Sequence, residues 1–388
     1  MKKLLYVSGS RAEYGIMRRL LLKLYSDKNI DLKIIVTGMH LDSRYGNTYK
    51  QIEEDGLAIE KKVVINAEGN DNKAIVNTMA TCMKKFGEIF NKEKYDFLIL
   101  LGDRYEILPV AIVAAINNIP IIHIHGGEKT LGNYDEFIRH SITKMSRFHI
   151  VSTEEYRNRV IQLGENPEMV KNLGALGAEN ANLIKKISKK ELEKVVGNLE
   201  KKYFVVLFHP ETITEKSNLE QMREILKAID SLKSEYEYIF IGSNSDTGSE
   251  DIEKEIQAYI KKNKFRRFVS LKPEEYQSLV RYSEGLIGNS SSGIIEVPSL
   301  KVPTINIGDR QLGRVKGNTV IDCECKEEDI KKAIKKVTCK DFKKIVKESK
   351  NPYFTKDTLE KYYNEIINFI NKFKNNIKVF YDIEDNIE

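Results

Sequence analysis

The chain has 388 residues, 41% of them hydrophobic and 31% charged, which is typical of a folded protein with two cores rather than a disordered one. Its net charge of +6 comes from 63 basic and 57 acidic residues whose signs are mixed along the chain. That mixture argues against nucleic acid as a partner, although it suits an anionic small substrate. No run of about 18 apolar residues exists, so we expect no membrane insertion and a cytoplasmic location.

Short apolar runs alternate with helix-periodic stretches through the first half of the chain. The runs are 3–8, 32–37, 96–101, 120–125 and 148–152. Nearly continuous apolar strands that alternate with helices predict a parallel sheet covered on both faces. Because ligands of such sheets bind beyond the carboxyl ends of the strands, the polar residues that follow each run are candidate site residues.

The first two candidates are Arg11 and the pair Asp103-Arg104. Arg11 lies in a loop that has neither the G-x-G-x-x-G spacing nor a Walker Gly-Lys-Ser/Thr motif. The loop therefore lacks the motifs that usually indicate nicotinamide binding or ATP hydrolysis. Arg11 either holds an anion at the sheet edge or is a solvated charge. Asp103 follows the run 96–101 and is either a reactive carboxylate or a helix cap.

Histidines and further acids follow the run 120–125. Side chains alternate along a strand, so His123 and His125 are expected on the same side. The set expected at this sheet edge is Asp103, His125, Glu128, Asp135 and Glu136. Several acids beside a histidine are what proton transfer to and from carbon requires, since neighbouring charges push their pKa values apart.

The second half repeats the alternation after a Gly- and Lys-rich stretch at about 163–194, which we interpret as an interdomain passage. The new runs are 203–208, 238–241, 268–270 and 302–307. A long periodic helix is predicted at 353–373, and the last dozen residues are expected to be frayed or bound by a partner.

A serine-rich turn, 288–298, follows a short strand and precedes a helix. Ser290, Ser291 and Ser292 bring hydroxyls and backbone N–H groups to a helix N-terminus, where an anion is favoured. Alone, the serines would more often be simple caps. The basic, Gly-containing stretch 308–314 just downstream favours a phosphate site.

Ten motifs in order carry a resemblance to a known family. They are SGSRAEYG, VTGMH, LGDRYE, HIHGGEKT, YDEFIRHSITKM, STEEYRNRVIQLGE, FHPET, IGSNSDTGS, GNSSSGIIEVPS and INIGDRQLGR. Together they closely resemble the hydrolysing UDP-N-acetylglucosamine 2-epimerases, in particular the bacterial branch that opens sialic acid synthesis for capsules. The likeness runs along nearly the whole chain.

The resemblance implies an α/β fold of the GT-B-like kind, with two Rossmann-like domains and the active site in the interdomain cleft. On this chain it implies an N-terminal domain at 1–175 joined by a C-terminal helix at 355–375, a UDP-binding domain at 185–354 and a tail at 376–388. It also implies a homo-oligomer, either a dimer or a tetramer, and no cofactor.

The implied reaction converts UDP-N-acetylglucosamine and water to N-acetylmannosamine and UDP. The resemblance gives acid/base roles to Asp103 and Asp135, and places His209 by the diphosphate as a further catalytic residue. Much of the family has a glutamate where this chain has His125, so the second acid/base is either His125 or Glu128. The implied UDP contacts are Arg11, Arg104, His209, Asn244, Ser290, Ser291, Ser292, Glu296 and Arg310.

Metal is not expected, because Cys82, Cys323, Cys325 and Cys339 lack zinc-site spacing and are interpreted as reduced thiols. Three alternatives stay open. The same chemistry could act on a UDP-2,4-diacetamido-trideoxyhexose of a legionaminic-type pathway, or the enzyme could be non-hydrolysing and return UDP-N-acetylmannosamine. A GT-B glycosyltransferase or a nucleotide-sugar binding protein is the non-epimerase alternative.

Overall fold

The computed structural model describes residues 1–65, 69, 71–213, 216–242, 248–375 and 377–383. They divide into two compact units. The first unit comprises 1–128, 135–176 and the C-terminal residues from 355. The second unit comprises 129–134 and 177–354.

The first unit is built on a seven-stranded parallel sheet with the order β3-β2-β1-β4-β5-β6-β7. Its strands are β1 (Lys2–Ser8), β2 (Ile30–Thr37), β3 (Ile59–Val63), β4 (Phe97–Leu101), β5 (Ile121–Ile124), β6 (Phe148–Val151) and β7 (Val170–Asn172). All five residues of β4 are buried, as a strand covered on both faces requires.

The helices of this unit cover the sheet. They are α1 (Arg11–Tyr25), α2 (Lys50–Glu54), α3 (Asn72–Lys92), α4 (Ile107–Ile116), α5 (Asp135–Met145), α6 (Glu154–Gln162) and α15 (Thr358–Lys372). Helix α7 (Leu176–Leu183) begins at the last residue of this stretch of the first unit and otherwise belongs to the second unit. Helix α15 returns from the far end of the chain. Phe369 on α15 stacks on Phe148 at 4.7 Å between ring centroids, and the Tyr362 hydroxyl donates to the Gly174 carbonyl at 2.7 Å. Apolar burial and a satisfied hydroxyl thus fix α15 to the first unit.

The second unit has a six-stranded parallel sheet with the order β10-β9-β8-β11-β12-β13. Its strands are β8 (Tyr203–Leu207), β9 (Glu237–Ile241), β10 (Arg266–Phe268), β11 (Gly285–Gly288), β12 (Thr304–Ile307) and β13 (Val320–Cys323). Its helices are α8 (Lys189–Val196), α9 (Asn218–Leu232), α10 (Ser249–Asn263), α11 (Pro273–Tyr282), α12 (Ser292–Ile295), α13 (Glu327–Thr338) and α14 (Lys340–Glu348).

The stretch 163–194 includes the boundary between the two units, which lies between Leu176 and Gly177. It contains strand β7, helix α7 and the start of α8, with a short 3₁₀ helix at Pro167–Met169. Gly164 and Gly174 have positive φ angles and form turns before and after strand β7. The passage between the units is therefore built from regular elements and tight turns.

The chain end up to residue 383 is not frayed where the structure describes it. The Lys378 ammonium donates to three carbonyls at the end of α5, the nearest being Ser146 at 2.6 Å and Lys144 at 2.8 Å. It also pairs with Glu165 at 2.7 Å. A cation at a helix C-terminus complements the unpaired carbonyls there, so this contact fixes the segment to the first unit.

Within the described ranges, no helix combines the length and the apolar character that crossing a membrane requires.

Candidate active site

Polar residues at the carboxyl ends of β1, β2 and β4 form a compact cluster in the first unit. Glu106 is 1% exposed and accepts a hydrogen bond from Arg104 Nε at 2.6 Å. Its carboxylate lies where only glycine leaves room, since a Cβ on Gly9 would be 2.6 Å from Glu106 Oε1 and one on Gly38 would be 3.2 Å away. The cluster therefore fixes Arg104, one of the predicted nucleotide contacts.

Glu13 is the second buried acid of this cluster. Its Oε2 accepts from the Gly9 amide at 3.0 Å and from Ser10 Oγ at 2.9 Å. Burial, with the neighbouring Glu106 carboxylate second, raises the pKa of Glu13 to about 7, although Arg104 opposes the rise. Glu13 can therefore hold a proton near neutral pH.

Asp103 is paired with Arg139, a fully buried arginine on α5. Arg139 Nη2 contacts Asp103 Oδ2, and Nη1 donates to the Glu128 carbonyl at 2.8 Å and lies 3.5 Å from Glu136 Oε2. A buried guanidinium needs such partners, because an unpaired buried charge is costly. One side chain thus connects the loop after β4 with the loop after β5.

His125 and Glu128 form a hydrogen-bonded pair after β5. His125 Nδ1 lies 2.9 Å from Glu128 Oε1, and Ser152 Oγ donates to the same oxygen at 3.3 Å. Because a carboxylate only accepts, Nδ1 carries the proton. His125 Nε2 is buried and has no hydrogen-bond partner among the residues that the structure describes. This arrangement is that of an acid/base imidazole oriented by a carboxylate.

His123 and His125 have separate surroundings, contrary to the expectation of a shared side. His125 lies just past β5 with a positive φ of 67°, which ends the strand alternation. His123 instead contacts Thr143 Oγ1 at 3.1 Å and the Gly102 carbonyl at 2.8 Å. Desolvation lowers the pKa of His123 to about 3, so it stays neutral and is a structural residue.

In the second unit, Asn289 fixes the loop after β8 to the serine turn after β11. This fully buried amide accepts from the His209 backbone N–H at 2.7 Å and donates to the His209 carbonyl at 2.9 Å. The backbone carbonyl of Asn289 accepts from Arg310 Nη1 at 3.2 Å and from Gln311 Nε2 at 2.8 Å. Asn289 therefore brings His209 and Arg310 together.

A buried acid, Glu211, fixes the same loop. Its Oε1 accepts from the backbone amides of Asp309 at 2.9 Å and Arg310 at 3.0 Å, beside Gly308, whose φ is positive. Burial raises the pKa of Glu211. Loop 209–212 and loop 308–312 are thus tied at two points, Asn289 and Glu211.

The predicted phosphate hydroxyls are connected to one another. Ser290 Oγ lies 3.2 Å from Ser292 Oγ, which in turn lies 2.8 Å from the Tyr276 hydroxyl. Ser291 precedes the four-residue helix α12 and makes no side-chain cap bond. The serines are therefore not simple caps of a long helix.

Glu296, the predicted ribose contact, follows α12. A Cβ on Gly177 would be 3.1 Å from its Oε1, so the carboxylate lies against a residue with no side chain. Desolvation raises the pKa of Glu296 to about 7. Hydroxyl donors of a bound ligand would favour the charged form.

The remaining predicted residues are placed as follows. Arg11 begins α1 and Asp135 begins α5, and both are half-buried. Asn244 lies outside the described residues.

Several residues of the site were not singled out from the sequence, among them Arg139 and Asn289. A signal for Arg139 existed, because it lies on the buried stripe of α5 with Ile138, Ile142 and Thr143. A charged residue within an apolar stripe must have a buried partner. Asn289 carried no comparable signal, since asparagine is common in turns.

Comparison with known proteins gives a family match over most of the chain. The family described as UDP-N-acetylglucosamine 2-epimerase matches residues 22–367. The polysialic acid biosynthesis protein P7 of Escherichia coli is 52% identical over 385 residues, covering 99% of this chain and 98% of that protein. The GDP/UDP-N,N'-diacetylbacillosamine 2-epimerase (hydrolyzing) of Campylobacter jejuni is 40% identical, covering 88% of this chain and 89% of that protein. The resemblance inferred from the motifs is confirmed.

Solved structures support the same fold. The UDP-GlcNAc 2-epimerase of Neisseria meningitidis bound to UDP-GlcNAc superposes with a TM-score of 0.78 at 15% identity, over 94% of this chain and 100% of that chain. The enzyme of Methanocaldococcus jannaschii in complex with UDP-GlcNAc and UDP gives 0.77 at 20% identity, over 94% and 99%. The predicted fold class, two parallel-sheet α/β domains of the GT-B-like kind, is confirmed.

Glu13→Gln is expected to flatten part of the pH dependence of stability. The ordinary pKa of 4.5 rises to about 7 on folding, so the native state binds the extra proton between these values and the free energy of unfolding falls as pH rises through them. The variant should gain about 1 to 3 kcal/mol over the wild type between pH 4.5 and 8, since one pH unit between two pKa values is worth about 1.4 kcal/mol. Urea unfolding at several pH values measures this, with the exposed Glu235→Gln as control. A difference that does not change with pH would contradict the prediction.

Proposed function

Because the chain belongs to the UDP-N-acetylglucosamine 2-epimerase family, we propose that it is a hydrolysing member that converts UDP-N-acetylglucosamine and water to N-acetylmannosamine and UDP. Two relatives named as hydrolysing 2-epimerases, 40% and 36% identical, support the hydrolytic outcome. The 52% identical relative, named for polysialic acid biosynthesis, supports a place at the first step of sialic acid synthesis.

The chemistry must begin at the bond to UDP. The C2 hydrogen of the sugar is not beside a carbonyl and is poorly acidic, so loss of the diphosphate has to accompany its removal. In the chair form the C1–O bond and the C2–H bond are trans-diaxial, which suits an anti elimination to 2-acetamidoglucal. Water then adds at C1 and a proton returns to C2 from the other face, which gives the manno configuration.

The observation that carries the proposal is the His125–Glu128 pair. An imidazole whose Nδ1 is fixed by a buried carboxylate at 2.9 Å, and whose Nε2 has no partner in the described part of the chain, is suited to move one proton. We assign the acid/base role to His125 and orientation to Glu128. Asp103 and Asp135 supply the other proton-transfer groups, and Arg139 fixes the Asp103 carboxylate.

The second unit is proposed to bind the leaving group. His209, Arg310 and the hydroxyls of Ser290, Ser291 and Ser292 would stabilise the negative charge that develops on the diphosphate as the C1–O bond breaks. Glu296 would accept hydrogen bonds from ribose hydroxyls. Arg11 and Arg104, and Asn244 beyond the described residues, are proposed as further nucleotide contacts.

One substrate alternative has specific support. The 40% and 36% identical relatives are named for N,N'-diacetylbacillosamine nucleotides, so a UDP-2,4-diacetamido-trideoxyhexose is the second candidate. A non-hydrolysing reaction, a glycosyltransferase and a binding protein have no such observation in their favour. Cytoplasmic location and assembly as a homo-oligomer stay predictions.

The direct test incubates the protein with each nucleotide sugar in D₂O and identifies the products by NMR. We expect UDP and free N-acetylmannosamine that carries deuterium at C2, because the proton added there exchanges with solvent. A UDP-linked epimer would make the enzyme non-hydrolysing, and turnover of the diacetamido sugar alone would select the alternative substrate. Product without deuterium at C2 would exclude the elimination route.

The roles of His125 and Glu128 can be separated by replacing each with glutamine, which keeps a polar side chain and removes the ionisable group. His125→Gln should lower kcat by about 10³-fold or more, since it removes the proton-transfer group, whereas Glu128→Gln should lower kcat by about 10 to 100-fold. Both should bind UDP with unchanged affinity in calorimetry, because neither residue is among the proposed nucleotide contacts. The reverse ranking would make Glu128 the acid/base.

A further inference from the structure

The segment Lys129–Tyr134 lies between Glu128, the proposed orienting residue of His125, and Asp135, a proposed proton-transfer group, and it groups with the second unit. Glu128, directly before it, and Asp135, directly after it, belong to the first unit, whereas the six residues between them have their contacts in the second. Nothing in the proposed reaction requires these six residues to group with the second unit. The contacts of the segment indicate what it does.

Asn133 is the main anchor of this segment. It is fully buried, and its Oδ1 accepts from Thr212 Oγ1 at 2.6 Å and from the Thr212 amide at 3.0 Å. Thr212 Oγ1 accepts in turn from the Tyr134 amide at 2.9 Å. A single hydroxyl therefore joins the last two residues of the segment to the loop after β8.

Backbone contacts continue the connection on both sides. The Ile213 amide donates to the Gly132 carbonyl at 3.1 Å, and the Leu131 amide donates to the Leu312 carbonyl at 3.2 Å. Gly132 approaches so closely that a Cβ there would lie 2.7 Å from the backbone of Asp309. A short segment held by so many contacts moves with the loops that hold it.

Those loops are the ones proposed to hold the diphosphate. Thr212 is three residues after His209, and Glu211 between them fixes the amides of Asp309 and Arg310 at 2.9 and 3.0 Å. A diphosphate bound by His209 and Arg310 would therefore restrict Thr212 and Asn133 directly.

We propose that Lys129–Tyr134 couples nucleotide binding to the placement of the proton-transfer groups, with Asn133 and Thr212 as positioning residues. This inference rests on the proposed function. Binding of the diphosphate at loop 209–212 fixes the segment, and the segment fixes the backbone at its two ends, Glu128 and Asp135. Coupling of this kind keeps the 2-acetamidoglucal aligned for reprotonation, because the acid is held while UDP is still bound.

The test compares Thr212→Val, which keeps the shape and removes the hydroxyl, with Thr212→Ser, which keeps the hydroxyl. Hydrogen exchange is measured by mass spectrometry with and without UDP. In the wild type, UDP should slow exchange in peptides covering 207–213 and also in peptides covering 123–140. In Thr212→Val, slowing should persist in 207–213 and be lost in 123–140, and Thr212→Ser should restore it.

Kinetics provide a second readout that a loss of general stability would not produce. Thr212→Val should lower kcat by about 10-fold or more while the Kd for UDP changes by less than about 3-fold. It should also release 2-acetamidoglucal as a detectable product. Gly132→Ala, which displaces the segment from Asp309 without touching Thr212, should act in the same direction if Thr212→Val folds poorly.

The outcomes separate the coupling from the proposed function. Thr212→Val with wild-type exchange at 123–140, wild-type kcat and no glycal release would overturn the coupling and leave the proposed function intact. Equal loss of UDP affinity and turnover, unrescued by serine, would also overturn it and make Thr212 a binding residue. No slowing by UDP at 207–213 in the wild type would overturn the proposed diphosphate site and the coupling with it.

Discussion

The buried guanidinium of Arg139 is the constraint on which the first unit's site depends. A charge with no solvent contact must be paired, and Arg139 meets that requirement with the Asp103 carboxylate and the Glu128 carbonyl. These partners come from the loops after β4 and β5, so one side chain sets the spacing between a carboxylate and the His125–Glu128 pair. The pairing acts in both directions, since Arg139 also fixes the Asp103 carboxylate.

In the second unit, a neutral buried residue connects the loops of the candidate site. Asn289 is buried and satisfied at both ends of its amide by the His209 backbone, while its carbonyl receives Arg310 and Gln311. A neutral amide is suited to this position, because it can accept from one backbone group of His209 and donate to another without bringing a charge into the buried site. The two units thus share a principle, in which one buried polar residue fixes the positions of residues with proposed roles in binding or catalysis.

The fold was predictable because the sheets are covered on both faces. Strands such as β4 and β8 are unbroken apolar runs that no surface element would contain. The polar residues that follow these strands therefore had to lie at the carboxyl edge of the sheet. The edge strands β3 and β13 were missed, since their half-buried, Lys- or Asp-containing sequences have no continuous apolar run. The first unit's C-terminal contacts were missed too, because a lysine that caps a helix reads like any surface lysine.

The sequence supplied candidate site residues but not the contacts among them. Side-chain alternation predicted that His123 and His125 face the same side of the strand. The left-handed backbone conformation of His125 ends the alternation, and His125 instead contacts Glu128. Asn133 and Thr212 are 79 positions apart in sequence, and no local pattern relates them. Contacts between loops depend on how strands are ordered in a sheet, which periodicity alone does not give.

The most direct measurement is a comparison of Arg139→Lys with the wild type in turnover and in UDP affinity. Lysine keeps the positive charge but cannot reach Asp103 and the Glu128 carbonyl at once. If Arg139 positions the proton-transfer groups, kcat should fall by about 100-fold or more while the Kd for UDP, measured by calorimetry, stays within about 3-fold. Wild-type turnover in Arg139→Lys, or a loss of UDP affinity that matches the loss of turnover, would contradict that role.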